Sequence, residues 1–143
     1  MSITLAPIDY FWLILLVAVV LGLAVFLVRR RRAVEPETLA EIKRQWQGIE
    51  DLLKQPGGSS WQVAVMEADK LVDYGFKTLG IPGKDFGERV RFFSYQNSSI
   101  RAVWPAHQIR NRLVHEPNFK LDQKTAARAI SQFKAALKVM KVL

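Results

Sequence analysis

The chain has 143 residues, half of them hydrophobic, and a net charge of +8 from 21 Lys+Arg and 13 Asp+Glu. That length holds one compact domain and a short additional segment. The absence of cysteine excludes disulfides and thiolate metal sites, and the basic charge is compatible with an RNA or anionic-lipid partner.

The first predicted element is an uncharged apolar run, residues 10–28, with the sequence YFWLILLVAVVLGLAVFLV. As a helix it spans roughly 28 Å, close to the hydrocarbon core of a bilayer. A cleaved signal peptide would open with Lys or Arg and end in small residues, and a buried core helix is rarely apolar on every face. The run therefore predicts a retained transmembrane helix, with interface residues of aromatic and basic type at its two ends. These interface residues are Tyr10, Trp12, Arg29, Arg30, Arg31 and Arg32.

The distribution of arginines predicts how the chain is oriented. All four arginines of this region lie after the apolar run, in a polybasic juxtamembrane segment over residues 29–34. Positive charge favours the cytoplasmic side of a membrane. Residues 1–9 are therefore predicted to form a short extracytoplasmic N-terminus, and the C-terminal domain of this single-pass cell-membrane protein is predicted to be cytoplasmic. The membrane is then a predicted partner, and a protein at the cytosolic membrane face is a further candidate partner.

Residues 35–143 predict an all-α bundle of four or five helices. Apolar residues recur at spacings of three and four in each segment, and no segment alternates with a period of two. The first helix starts near Pro36, and its apolar stripe favours a place in the bundle. Ser59 or Ser60 is the expected N-cap of the second helix.

The second half of the bundle shows further helix boundaries. Asp85 is the expected cap of a short helix, and a polar turn follows over residues 97–99. Pro105 suits the first turn of a helix that runs to His115. Asp122 is the expected cap of the last helix, whose apolar face is regular. The members of this face are Ala126, Ile130, Phe133, Leu137 and Met140.

The window AHQIRNRLVH, residues 106–115, contains both histidines of the chain. On a helix, His107, Asn111 and His115 form a stripe at intervals of four, and Arg110 lies between this stripe and the core face. Imidazole can give or take a proton, and guanidinium binds phosphate oxygens through paired donors. Together these groups suffice for RNA cleavage without a metal. If two chains met with their stripes facing, one catalytic histidine per chain would be enough.

A structural role for the same residues stays open. A histidine at the C-terminus of a helix often only caps carbonyls and favours the negative end of the dipole. His107 and His115 are two turns apart without a neighbouring carboxylate cluster, so the sequence predicts no metal site. It contains no phosphate loop of the P-loop or dinucleotide type, and no cofactor is predicted.

The same window, followed by a Pro-Asn turn and an Ala-rich helix, resembles the HEPN superfamily of helical-bundle proteins. The similarity covers about residues 60–140 and includes the upstream segment LGIPGKDFGERV. Arg110 matches the arginine of the family motif, Asn111 its polar residue, and His115 its histidine after four intervening residues. The resemblance implies a homodimer that cleaves RNA without metal, with Arg110 and His115 as catalytic residues and Asn111 and His107 in support.

Two functions are consistent with these observations. The first is a membrane-anchored HEPN-like domain that acts as an endoribonuclease or as an RNA-binding module. The second is a catalytically inactive, membrane-tethered protein-interaction module, since many relatives in the superfamily are inactive. The first requires the stripe to be accessible in a cleft. The second allows the stripe to be buried, capping or solvated.

Overall fold

The structure, a computed structural model, describes the backbone of residues 7–31, the side chains of 10–26, and all of 34–143. It divides into two compact units. The first unit contains helix α1 (Pro7–Arg31). Residues 1–6 of the predicted N-terminal segment 1–9 lie outside the described residues, as do Arg32 and the side chains of Arg29, Arg30 and Arg31, and residues 7–9 belong to α1.

In the part of the chain that the structure describes, no helix is both long enough and apolar enough to cross a membrane. This finding contradicts the predicted transmembrane helix over 10–28, the single-pass topology and the cell-membrane localisation. Tyr10 and Trp12, predicted as interface residues, are exposed side chains of α1.

The second unit, Val34–Leu143, contains five α-helices and one 3-10 helix. They are α2 (Pro36–Lys54), α3 (Gly58–Thr78), α4 (Phe86–Ser94), the 3-10 helix (Ser98–Val103), α5 (Trp104–His115) and α6 (Gln123–Val139). Helix α3 is central, because it packs against α2, α5 and α6. Since residues 7–31 and 34–143 contain no β-strand, the predicted all-α bundle over 35–143 is confirmed.

The core of the bundle consists of the apolar stripes that the sequence spacing predicts. Ile42, Trp46 and Ile49 of α2 are buried. The apolar face predicted for α6 is buried over its whole length, from Ala126 to Met140. Burial of such stripes contributes about 25 cal/mol for each Å² of apolar surface removed from water, which outweighs the modest helical propensity of segments this short.

Two of the predicted N-caps are confirmed by their hydrogen bonds. The Asp85 carboxylate accepts from the backbone N–H of Glu88 at 2.8 Å, and the Asp122 carboxylate accepts from the backbone N–H of Thr125 at 2.8 Å. The Thr125 bonds stabilise the charged form, so they hold the pKa of the Asp122 carboxyl below its ordinary value. The caps fix where α4 and α6 begin, and α4 begins at the candidate site.

Two details of the predicted boundaries differ. Helix α3 begins at Gly58, so Ser59 and Ser60 lie in its first turn and neither is the N-cap. The reason is Gly57, which is itself the N-cap residue. Its φ of +122° is a backbone conformation that glycine adopts readily, and it allows α3 to begin before the two serines. The segment before Pro105 begins with the 3-10 helix, and Pro105 lies in the first turn of α5 as predicted.

The loop before α4 depends on a glycine, and Gly83→Ala is expected to lower the free energy of unfolding by about 1–3 kcal/mol. Gly83 has φ +155°, and a Cβ there would lie 2.8 Å from the backbone nitrogen of Arg89. The matched control is Gly80→Ala, where φ is +67° and nothing lies within 4 Å of the added carbon. That variant is expected to lose about 1 kcal/mol from backbone conformation alone. Urea unfolding measures both, and equal losses would contradict the steric argument.

Candidate functional site

An open cleft of about 460 Å³ lies where α3, the beginning of α4, and α5 meet. Helix α5 contributes three of the side chains that the sequence singled out. Helix α3 contributes acidic and basic groups, and α4 contributes its first residues. The lining residues are Asp69, Lys70, Asp73, Asp85, Phe86, Gly87, His107, Arg110 and Asn111. The three predicted site residues of α5 therefore lie in one cleft with residues of α3 and α4 that the sequence did not single out.

The centre of this cleft is the carboxylate of Asp69, which is only 5% exposed. Its Oδ1 lies 2.7 Å from Nδ1 of His107, and its Oδ2 lies 3.4 Å from Nε of Arg110. A buried carboxylate is expensive unless it is paired and hydrogen-bonded, and here both oxygens have a partner. Nη1 of Arg110 also donates to Oδ1 of Asn111 at 3.0 Å. Asp69 thus joins the histidine and the arginine of α5 into one network.

The ring of His107 is held in a fixed orientation. It stacks on the ring of Phe86 at 4.1 Å with an interplanar angle of 7°, and the edge contact with Trp104 is at 6.1 Å. Its side chain is 14% exposed. An ionised carboxylate only accepts hydrogen bonds, so opposite an ionised Asp69 the Nδ1–H of His107 is the donor. In the neutral imidazole with this tautomer, Nε2 has the lone pair and is the nitrogen left for a ligand.

The other charges of the cleft are mostly paired. Asp73 accepts from Arg89 at 2.8 Å and lies 2.7 Å from Nζ of Lys77. Asp85 is used as the cap of α4. Each of the three carboxylates in the cleft is therefore compensated by a cation or by backbone N–H groups, which lowers the repulsion that an incoming anion would meet.

His115 lies elsewhere. It is exposed in the last turn of α5 and lines a separate cleft with Arg112, Glu116, Pro117, Asn118, Phe119 and Lys120. Arg112 forms an ion pair with Glu116 at 3.0 Å and lies over the ring of Phe119 at 4.0 Å. Within one chain Arg110 and His115 therefore line different clefts, whereas His107, Arg110 and Asn111 share one. Catalysis by Arg110 and His115 stays a prediction. The alternative, that His115 only caps carbonyls and stabilises the negative end of the helix dipole, also stays a prediction.

The sequence reasoning missed Asp69 and Phe86. Asp69 follows Ala68 on the apolar stripe of α3, four residues after Val65 and three before Val72. A lone carboxylate on a core stripe is rare unless it is paired, so this position was a usable signal. The role of Phe86 had no such signal, since stacking on a histidine twenty-one residues later depends on tertiary packing.

The chain matches no protein-family model, no curated protein and no solved structure. The resemblance to the HEPN superfamily therefore stays a prediction that rests on the residues quoted above. Among residues 34–143 and the described part of α1, no group of three His, Asp or Glu side chains is placed to hold a metal ion.

Proposed function

We propose that this protein is an endoribonuclease that recognises and cleaves RNA without a metal, in the cleft around Asp69. The observation that supports this most is the contact of one buried carboxylate with both His107 and Arg110. A proton-transferring group and a phosphate-binding group are thereby held side by side, on an open surface of a basic domain.

In the proposed reaction Nε2 of His107 takes the proton from a ribose 2′-hydroxyl. The 2′ oxygen forms a bond to the adjacent phosphorus, and the bond from phosphorus to the 5′ oxygen breaks. The 5′ oxygen leaves with the bonding electron pair and takes a proton from solvent, and the imidazolium later returns its proton to solvent. The products are a 2′,3′-cyclic phosphate and a 5′-hydroxyl. Asp69 stabilises the imidazolium and keeps the ring in the productive tautomer.

Arg110 is the proposed phosphate-binding residue. Its Nε faces Asp69, and its Nη1 is oriented by Asn111. A guanidinium carries five N–H donors, so these two contacts leave donors for the phosphate oxygens. Charge builds on those oxygens in the transition state, and preorganised donors stabilise it more than they stabilise the bound substrate.

His115 has a different place in this proposal. The resemblance gives it the catalytic role, with Arg110, in a homodimer whose subunits share a cleft. Since Arg110 and His115 line different clefts of one chain, that arrangement requires the second subunit. The pairing of His107 with Asp69 requires none. The two versions of the site therefore make opposite predictions for single substitutions of the histidines.

The test of the function uses the full chain, a mixed-sequence RNA and a metal chelator. Wild type is expected to release 2′,3′-cyclic phosphate ends, and RNA with 2′-O-methyl riboses is expected to stay intact because it lacks the attacking hydroxyl. Arg110→Ala is expected to reduce the cleavage rate by about 10²–10³-fold. Arg128→Ala, an exposed arginine of α6 outside the cleft, is the matched control and should cleave like wild type. A folded wild type that leaves RNA intact would overturn the proposal.

A second function, interaction with a protein partner, is favoured by one observation on the first unit. The large apolar side chains of residues 10–26 are each at least 45% exposed. An apolar surface of this size marks an interaction site. This function is compatible with RNA binding by the second unit, and it becomes the main proposal if RNA is neither bound nor cleaved.

A further inference from the structure

Helix α4 presents an unusual surface on the side away from the core. Phe92 and Tyr95 lie three residues apart on this side, and they are 42% and 79% exposed. Buried Phe86, Val90 and Ser94 face the opposite way. Burial of large aromatic side chains is favourable, so two of them exposed on one side of a short helix offer a binding surface to a partner.

Most of the charged groups along this segment are basic. Residues 88–101 contain three arginines and one carboxylate, Glu88, which is exposed four residues before Phe92 and accepts from the backbone N–H of Lys84. Arg101 belongs to the 3-10 helix, which packs against α4. Arg89 is paired with Asp73, whereas Arg91 and Arg101 are exposed. Arg91 is four residues before Tyr95, on the same side of α4. Aromatic rings beside arginines match the two parts of a single-stranded nucleic acid, which offers flat bases and charged phosphates.

We infer that this surface, Arg91, Phe92, Tyr95 and Arg101, binds unpaired bases of RNA next to the cleft. The inference rests on the proposed function and names its substrate as single-stranded RNA. Helix α4 connects the cleft around Asp69 with this aromatic surface. Gly87 in its first turn lines the cleft, and Tyr95, its C-cap residue, lies about 12 Å further along the helix axis. A strand that crosses the cleft can therefore stack its neighbouring bases on α4.

Tyr74 is the other exposed aromatic residue of the second unit. It is 43% exposed on α3 and lines a different cleft with Glu37, Glu41 and Arg44, and Arg44 is paired with Glu41. Carboxylates outnumber cations in the lining of this cleft, so it suits phosphates less than the α4 surface does. Tyr74 is therefore a matched control for Tyr95, an exposed tyrosine outside the proposed surface.

The test measures binding by fluorescence anisotropy with 2′-O-methyl RNA, which this reaction leaves intact. The same strand is used alone and annealed to its complement. Wild type is expected to bind the single strand more tightly. Tyr95→Ala is expected to raise the Kd by about tenfold, and a further Phe92→Ala by about the same factor. Tyr95→Phe keeps the ring and should bind like wild type, as should Tyr74→Ala.

The outcomes separate this inference from the proposed function. Wild-type affinity in both alanine variants would overturn the inference and leave the proposed nuclease intact. Weaker binding in those variants, together with no cleavage by wild type, would support the surface and overturn the nuclease. Absence of binding in wild type would overturn both. Weaker self-association of Tyr95→Ala with unchanged RNA affinity would assign the surface to a second copy of the chain and overturn the inference.

Discussion

His107→Ala is expected to reduce the rate of RNA cleavage by about 10²–10⁴-fold, the range that general acid–base groups contribute. The variant removes the nitrogen that is proposed to accept the 2′-hydroxyl proton. It also leaves Asp69 with only its contact to Arg110 at 3.4 Å. The affinity of this variant for 2′-O-methyl RNA is expected to change little, because it retains Arg110 and the α4 surface. Single-turnover cleavage and anisotropy separate these two effects.

Three further variants show whether the loss of cleavage is specific to the pair of His107 and Asp69. Gln108→Ala, an exposed residue of the same helix, should cleave like wild type. Asp69→Asn keeps the shape of the pair but removes the charge that stabilises the imidazolium, so its rate should fall toward that of His107→Ala. His115→Ala should keep most of the activity. Full activity in His107→Ala together with loss in His115→Ala would show that the pair implied by the resemblance, Arg110 and His115, is the catalytic one.

The helical bundle was predictable because apolar spacing and N-cap residues act within a single helix and do not depend on how the helices pack together. Stripes at spacings of three and four define which side of a helix is buried, and Asp85 and Asp122 cap helices at the positions expected. The start of α3 was missed because Gly57 enters the helix through a positive φ, which composition does not reveal. The predicted transmembrane helix is contradicted, since no helix among the described residues is long and apolar enough to cross a membrane.

The candidate site was predictable only in part. Periodicity placed His107, Arg110 and Asn111 on one side of α5, and the structure has all three in one cleft. His115 continues the same stripe, yet it lies where α5 ends and the chain turns away, so it lines another cleft. Asp69 comes from thirty-eight residues earlier. A single sequence does not define which face of α3 meets α5, and that packing decides which histidine receives a carboxylate.

Phe76→Ala is expected to lower the free energy of unfolding by about 3–5 kcal/mol, a large part of the total stability of a small domain. Phe76 is fully buried in α3 and makes edge contacts with Phe86 and Phe93, each with ring centroids 5.9 Å apart. Truncation would leave a cavity and remove both contacts. In urea unfolding the midpoint should fall while the slope stays the same.

The effect should also reach the site, because Phe86 lies between Phe76 and His107. A looser Phe86 would hold the imidazole less firmly, so Phe76→Ala should lose cleavage activity under conditions where it is still folded. For the stability measurement Phe92→Ala is the matched control, since it makes the same chemical change at an exposed position. Its stability should stay within about 0.5 kcal/mol of wild type. A loss of stability in Phe76→Ala no larger than in Phe92→Ala would contradict the packing described for the core. Unchanged cleavage by folded Phe76→Ala would show that the aromatic stack does not position His107.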